Sequence, residues 1–221
     1  MKQMFLHQAG TSCLTVFFAG WGMDKTPFQA YCFKQDVLLC YDYSDLNFDT
    51  SLLAGYERLR VVAWSMGVWV AAWMMLQHPE WPVRKRVAVN GTLFPVDALR
   101  GIPPAVFSGT LSGLSASTLV KFRRRMCGTA SAYADFEKLA PRRELESLRD
   151  ELYQLEGFYR AASKNGFGLW DEVYVGTSDL IFPTANQMRA WSEGLAVHLR
   201  SFEGAHYNAS LLEQLLCKKH G

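Results

Sequence analysis

The chain has 221 residues, 49% hydrophobic and 20% charged, with a formal net charge of +2 at pH 7; this suits one domain over residues 1–221 with a sizeable core and argues against a nucleic-acid binder. Five cysteines without a Cys-x-x-Cys pair exclude a disulfide scaffold and give no sign of a metal site or cofactor. The N-terminus has no signal-peptide stretch and no run approaches the ~20 apolar residues of a membrane span, so a cytoplasmic location is expected, with no membrane partner.

In chain order, Met4–Gln8 is predicted as an antiparallel edge strand and Cys13–Phe18 as a buried strand. Ala19-Gly-Trp-Gly-Met-Asp24 follows it. Two glycines around one bulky residue suit a bend that leaves a backbone N–H unpaired, the kind of donor a developing oxyanion needs. Trp21 supplies that position. After a strand at Val37–Cys40 comes Val61-Val-Ala-Trp-Ser-Met-Gly67, an apolar run that stops at a serine with small residues two positions to either side. Strand and helix pass very close at such a turn, which requires those small residues and lifts the hydroxyl above the sheet. Ser65 is the candidate nucleophile and Met66 the second oxyanion donor. The same string also suits a serine that merely N-caps a buried helix.

Strands Arg60–Ala63 and Arg86–Val89 bracket a helix at Met66–Gln77, apolar nearly all round and ended with the help of Pro79. Residues Ser108–Asn165 then break the strand-helix rhythm and read as mostly helical, a small lid insertion. Between Lys121 and Arg149 eight basic residues face four acidic ones. That excess is either a solvated helix face or a docking surface for an acidic partner. Leu114, Leu119, Phe122, Phe158 and Phe167 either line a narrow apolar tunnel or belong to ordinary core. A strand at Asp171–Val175 breaks at Gly176 and carries Asp179 into a loop closed by Pro183. Thr184–Glu193 and Asn208–Cys217 have the pattern of surface helices. Between them Ala196–Phe202 is a strand, with His206 in a Gly-containing loop just past its end.

Alternating strands and helices argue an α/β fold, with a mostly parallel central sheet covered on both faces and reacting groups at the carboxyl ends of its strands. Serine, then acid, then histidine is the chain order of an α/β-hydrolase triad, with His206 as the base. Asp179 is favoured as the acid over Asp97, because an acid followed by an apolar pair and proline suits a rigid loop.

Phe18-Ala-Gly-Trp-Gly-Met-Asp24, Ala63-Trp-Ser-Met-Gly67, Gly176-Thr-Ser-Asp-Leu-Ile-Phe-Pro183 and Glu203-Gly-Ala-His-Tyr207 together resemble the BioG-type pimeloyl-[acyl-carrier-protein] methyl ester esterases of biotin synthesis. BioH-type relatives differ in having His-Gly-Trp-Gly and Gly-x-Ser-x-Gly where this chain has Ala19 and Ala63. The resemblance implies a serine esterase in which Ser65 is nucleophile, His206 base and Asp179 acid, with oxyanion donors at Trp21 and Met66. It also implies an acyl carrier protein as partner, whose acidic helix would meet Arg123, Arg124 and Arg125, with Arg142 and Arg143 as further candidates. A monomer is expected. A general short-chain carboxylesterase or thioesterase, and an inactive hydrolase-fold binding module, remain as alternatives.

Overall fold

The computed structural model describes residues 1–162, 170–192 and 198–218. Their centre is a seven-stranded sheet in the order β1-β3-β2-β4-β5-β6-β7. The strands are β1 Lys2–His7, β2 Cys13–Phe18, β3 Asp36–Tyr41, β4 Arg58–Trp64, β5 Val83–Val89, β6 Glu172–Gly176 and β7 His198–Phe202. All pairings are parallel except that of β1 with β3. Strands β2 and β4 are buried along almost their whole length. This is why they read as continuous apolar runs rather than alternating ones. Each fully buried Val, Leu or Phe there contributes roughly 1.5–3 kcal/mol of transfer free energy.

Register fixes where these strands end. Phe18 lies beside Ala63, Ala63 beside Ala88 and Trp64 beside Val89, while Gly176 lies beside Phe202. The loops after β2, β4, β5, β6 and β7 therefore leave the sheet along one edge, the carboxyl edge, and every candidate catalytic residue is carried by one of them. Helix α1, Met66–Gln77, packs behind β4 with nine of its residues buried. Pro79 restricts His78 to non-helical angles and so ends it.

The helical segment between β5 and β6 comprises α2 Pro104–Ser112, α3 Ala116–Cys127, α4 Ala130–Lys138 and α5 Leu145–Ala161. It opens at Pro104, before the predicted Ser108, because proline is preorganised for a first helical turn; residues 163–165 lie outside the described residues. Ser115 and Thr118 form a reciprocal capping box at the start of α3, and Thr129 caps α4. Helix α5 buries Leu148, Glu151, Leu152, Leu155 and Tyr159, a stripe at three- and four-residue spacing in which Glu151 is the exception. Helices α6 Thr184–Ser192 and α7 Ala209–Cys217 complete the layers. Among the described residues no helix is long and apolar enough to cross a membrane.

Candidate active site

Ser65 sits between β4 and α1 at φ 61°, ψ −130°, a conformation that costs a non-glycine residue on the order of 1–3 kcal/mol. The surroundings enforce it. Ser65 N–H donates to the Val89 carbonyl at 3.0 Å. A Cβ at Gly67 would lie 2.4 Å from the Phe18 oxygen, and one at Gly91 would lie 2.3 Å from the Ser65 oxygen. Position 63 touches its neighbours with no exposed surface, and an alanine is accommodated there.

The loop after β7 brings His206 to this turn. Its Nε2 is 2.8 Å from Ser65 Oγ and its Nδ1 is 2.8 Å from Asp179 Oδ2. Asp179 accepts three further bonds, from Ile181 N, Phe182 N and Gln187 Nε2. A carboxylate so surrounded by donors fixes the imidazole with its proton on Nδ1, which leaves Nε2 to accept the serine hydroxyl. The Phe182 ring stacks on the imidazole at 5.9 Å and 6°. All three polar residues are buried. Asp97 stands apart from them, its oxygens taken by Leu99 N, Arg100 N and the Arg100 guanidinium. Burial pulls its pKa up, but these donors outweigh it and hold the carboxyl below its ordinary range.

Two residues that sequence reasoning passed over hold the loops in place. Asn90, at φ 45° directly after β5, accepts Gly176 N–H through Oδ1 at 2.7 Å and donates through Nδ2 to the Ala205 and His206 carbonyls. It thus ties the ends of β5 and β6 to the histidine loop. Gln187 of α6 braces Asp179 and also donates to the Phe182 carbonyl at 2.7 Å. An Asn-Gly pair ending an apolar strand was the one available signal for Asn90; Gln187 left none beyond its place on the buried side of an amphipathic helix.

Trp21 and Met66 flank Ser65. Among the described residues neither backbone N–H donates to a protein acceptor, so both are free for a ligand oxygen. The Trp21 indole donates to the Leu148 carbonyl at 2.8 Å and packs edge-on against Phe122. Above the serine lies a narrow cavity of about 40 Å³, lined chiefly by Ile102, Val106, Phe107, Phe122, Met126, Leu152, Leu180 and Ile181. Of the five lid residues singled out from sequence, Phe122 lines it. Leu114 borders a neighbouring groove, Leu119 and Phe158 pack against the core, and Phe167 lies outside the described residues. Arg125 contributes the sole guanidinium or ammonium among the described lining residues.

The five arginines separate by environment. Arg143 requires a correction: its side chain is 7% exposed and paired with Glu151 Oε2 at 2.5 Å and Asp42 Oδ1 at 2.8 Å, so its charge is spent inside the fold. Arg123 is 14% exposed and held by Glu137 and the Pro141 carbonyl, which also turns it inward. Arg124, Arg125 and Arg142 are exposed. With Lys121, Arg124 and Arg125 border a groove between α2 and α3 that shares Val106, Thr110 and Phe122 with the cavity over Ser65. No group of His, Cys, Asp and Glu among the described residues is arranged to hold a metal ion.

A family model described as BioG, pimeloyl-ACP methyl esterase, matches residues 1–214. The crystal structure of BioG from Haemophilus influenzae superimposes with a TM-score of 0.87 at 34% identity, covering 99% of this chain and 100% of that one. A malonyl-[acyl-carrier protein] O-methyltransferase of Bacteroides fragilis is 46% identical over 202 residues, which is 91% of this chain but only 41% of that protein. A lipase-esterase related protein of Clostridium acetobutylicum shares the fold at TM-score 0.65 and 15% identity, covering 97% of each chain.

Proposed function

The chain belongs to the BioG family of pimeloyl-ACP methyl esterases, and from that premise we propose that it hydrolyses the methyl ester at the free end of a pimeloyl group borne by an acyl carrier protein. Ser65 Oγ attacks the ester carbonyl while His206 Nε2 takes its proton. The carbonyl oxygen, now an anion, is held by the Trp21 and Met66 N–H groups in a site from which water is largely excluded. Asp179 keeps the imidazole in the required tautomer and steadies it when protonated. His206 returns the proton to the departing methoxide, methanol leaves, and a water activated by the same imidazole hydrolyses the acyl-enzyme.

The observation that carries this reading is the hydrogen-bonded chain from Asp179 through His206 to Ser65 at the floor of an apolar cavity with a cationic rim. Apolar walls suit a methylene chain ending in a neutral ester. They also disfavour the carboxylate formed on hydrolysis, which aids its departure. Helices α2–α5 serve as the lid of a single domain. Lys121, Arg124 and Arg125 lie where the carrier end of the substrate would emerge, and Arg142 adds to the exposed charge that an acidic carrier would meet. The Bacteroides relative is named for placing a methyl group on an acyl-carrier-bound carboxyl, the bond whose removal is proposed here.

Methanol release from pimeloyl-carrier methyl ester, compared with free dimethyl pimelate and with the carrier thioester bond, tests the proposal. The expected result is methanol release with the thioester intact and a kcat/KM at least about 100-fold above that for the free diester. Equal rates on both methyl esters would make this a general carboxylesterase, and thioester cleavage a thioesterase. Correctly folded protein inert to all three would leave a binding module.

A further inference from the structure

One turn of α5 grips the loop after β2 at two successive residues. The Leu148 carbonyl accepts the Trp21 indole N–H at 2.8 Å, and three residues on, Glu151 Oε2 accepts the Gly22 backbone N–H at 3.2 Å. The other carboxylate oxygen accepts the Tyr43 N–H at 3.1 Å, from the loop after β3. Arg143 completes the cluster, reaching Glu151, Asp42 and Ser147 Oγ. Glu151 has no exposed surface.

Burying a carboxylate costs several kcal/mol unless its partners are well placed, and a helix that only covers the core does better with an apolar residue. Leu148, Leu152 and Leu155 on the same face follow that rule; Glu151 breaks it. What the carboxylate offers and a leucine cannot is an acceptor for N–H groups of two strand-end loops at once. Trp21 stands between two glycines with Gly22 at φ +77°, and within the loop the turn around it is closed by one long bond, Met23 N–H to the Gly20 carbonyl at 3.4 Å, so contacts from outside the loop add to what fixes the Trp21 backbone. With the indole held on one side and the next peptide on the other, the Trp21 N–H is fixed in direction.

We propose that Glu151 is a positioning residue for the oxyanion site, holding the Trp21 N–H in place through Gly22, with Arg143 as its counter-ion. The inference rests on the reading of Trp21 as an oxyanion donor. A donor acts strongly on a developing charge only when it is already aimed, since aiming it during reaction costs reorganisation energy. Glu151 touches no substrate; its effect falls on the tetrahedral state and not on substrate binding.

The test uses the whole chain and p-nitrophenyl butyrate. Glu151→Gln presents one acceptor oxygen where three donors now converge, and is expected to lower kcat about tenfold or more with KM changed less than about twofold. The Ki of a trifluoromethyl ketone, which forms a tetrahedral adduct, should rise by the factor by which kcat/KM falls. Leu155→Ala removes a buried side chain from the same helix without touching the clamp. At matched loss of Tm it should leave kcat within about twofold. A fall in kcat for Leu155→Ala equal to that of Glu151→Gln, or a Glu151→Gln protein with unchanged kcat, overturns the proposal. Should Glu151→Gln not fold, Glu151→Asp, which keeps the charge but is one methylene short of Gly22, is assayed the same way. Amide exchange separates the two layers: unchanged exchange at Gly22 and Tyr43 in the variant refutes the clamp whatever the activity. Wild-type protein inert to every ester refutes the reading of the site.

Discussion

The carboxyl edge of the sheet and the helical segment over it use polar residues in opposite ways. At the edge, Ser65, Asn90, Asp179, Gln187 and His206 are all buried, and each is placed by a strand end or by a neighbour bonded to one. In the helical segment the polar residues divide, with Glu151 and Arg143 enclosed and Arg124, Arg125 and Arg142 in solvent. Arg142 and Arg143 are adjacent and chemically identical, yet one is a surface charge and the other the counter-ion of two buried carboxylates. Strand ends confine a side chain through register; the connection between α4 and α5, outside either helix, lets one charge turn inward while the next stays out.

The sharpest way to break this comparison is at the sheet edge. Ser65→Ala and His206→Ala are each expected to lower kcat/KM by about 10⁴-fold or more with little change in Tm, since the two act as a unit on a scaffold that does not need their polar atoms. Asp179→Asn should follow at about 10²–10⁴-fold and Asp97→Asn should stay within twofold, read by steady-state kinetics. The reverse order for the two aspartates would move the acid to the loop after β5.

Arginines 142 and 143 sharpen it on the helical side. Arg143→Met leaves Glu151 and Asp42 without their shared cation and should cost about 3–5 kcal/mol in urea unfolding, whereas Arg142→Ala should stay within about 0.5 kcal/mol. Equal losses would erase the distinction.

Asp42 extends the same cluster to pH. Burial pulls its carboxyl up, but Lys2, Ser44 and Arg143 outweigh this and set it below its ordinary 3.8. A carboxyl depressed on folding adds stability that is complete above its unfolded value and lost as pH falls through the folded one. Asp42→Asn should therefore cost about 2 kcal/mol at neutral pH, with the gap to wild type closing only below pH 3.8. Equal stability of the two proteins at pH 7 would show the ion pairs to be idle.

The smallest effect is expected at the rim. Replacing Lys121, Arg124 and Arg125 by alanine should raise KM for the carrier-bound ester about tenfold at ~0.1 M salt and flatten its salt dependence. KM for p-nitrophenyl butyrate should move less than about threefold. Equal losses on both substrates would mean that these residues shape the lid and recruit no partner.

Much of the sheet edge was legible because its signals are local. Cys13–Phe18 and Met66–Gln77 could be bounded from apolar runs and a proline, and Gly67 marked the turn at Ser65 because strand and helix there leave no room for a Cβ. The antiparallel edge strand was expected at Met4–Gln8 and lies at Lys2–His7, and the order serine, acid, histidine was legible along the chain. The apolar pair and Pro183 after Asp179 favoured it over Asp97, although either loop lies after a strand, and the fold supplied the contact itself, Asp179 Oδ2 at 2.8 Å from His206 Nδ1. The inward turn of Arg143, the cavity walls at Ile102 and Leu180, and the bond between Glu151 and Gly22, 129 residues apart in the chain, had no trace in composition or spacing. Runs of apolar residues and tight turns are written by neighbours along the chain. Burial of a charge is decided by partners that only packing brings together, and in the sequence Glu151 is one more acidic residue on an amphipathic helix.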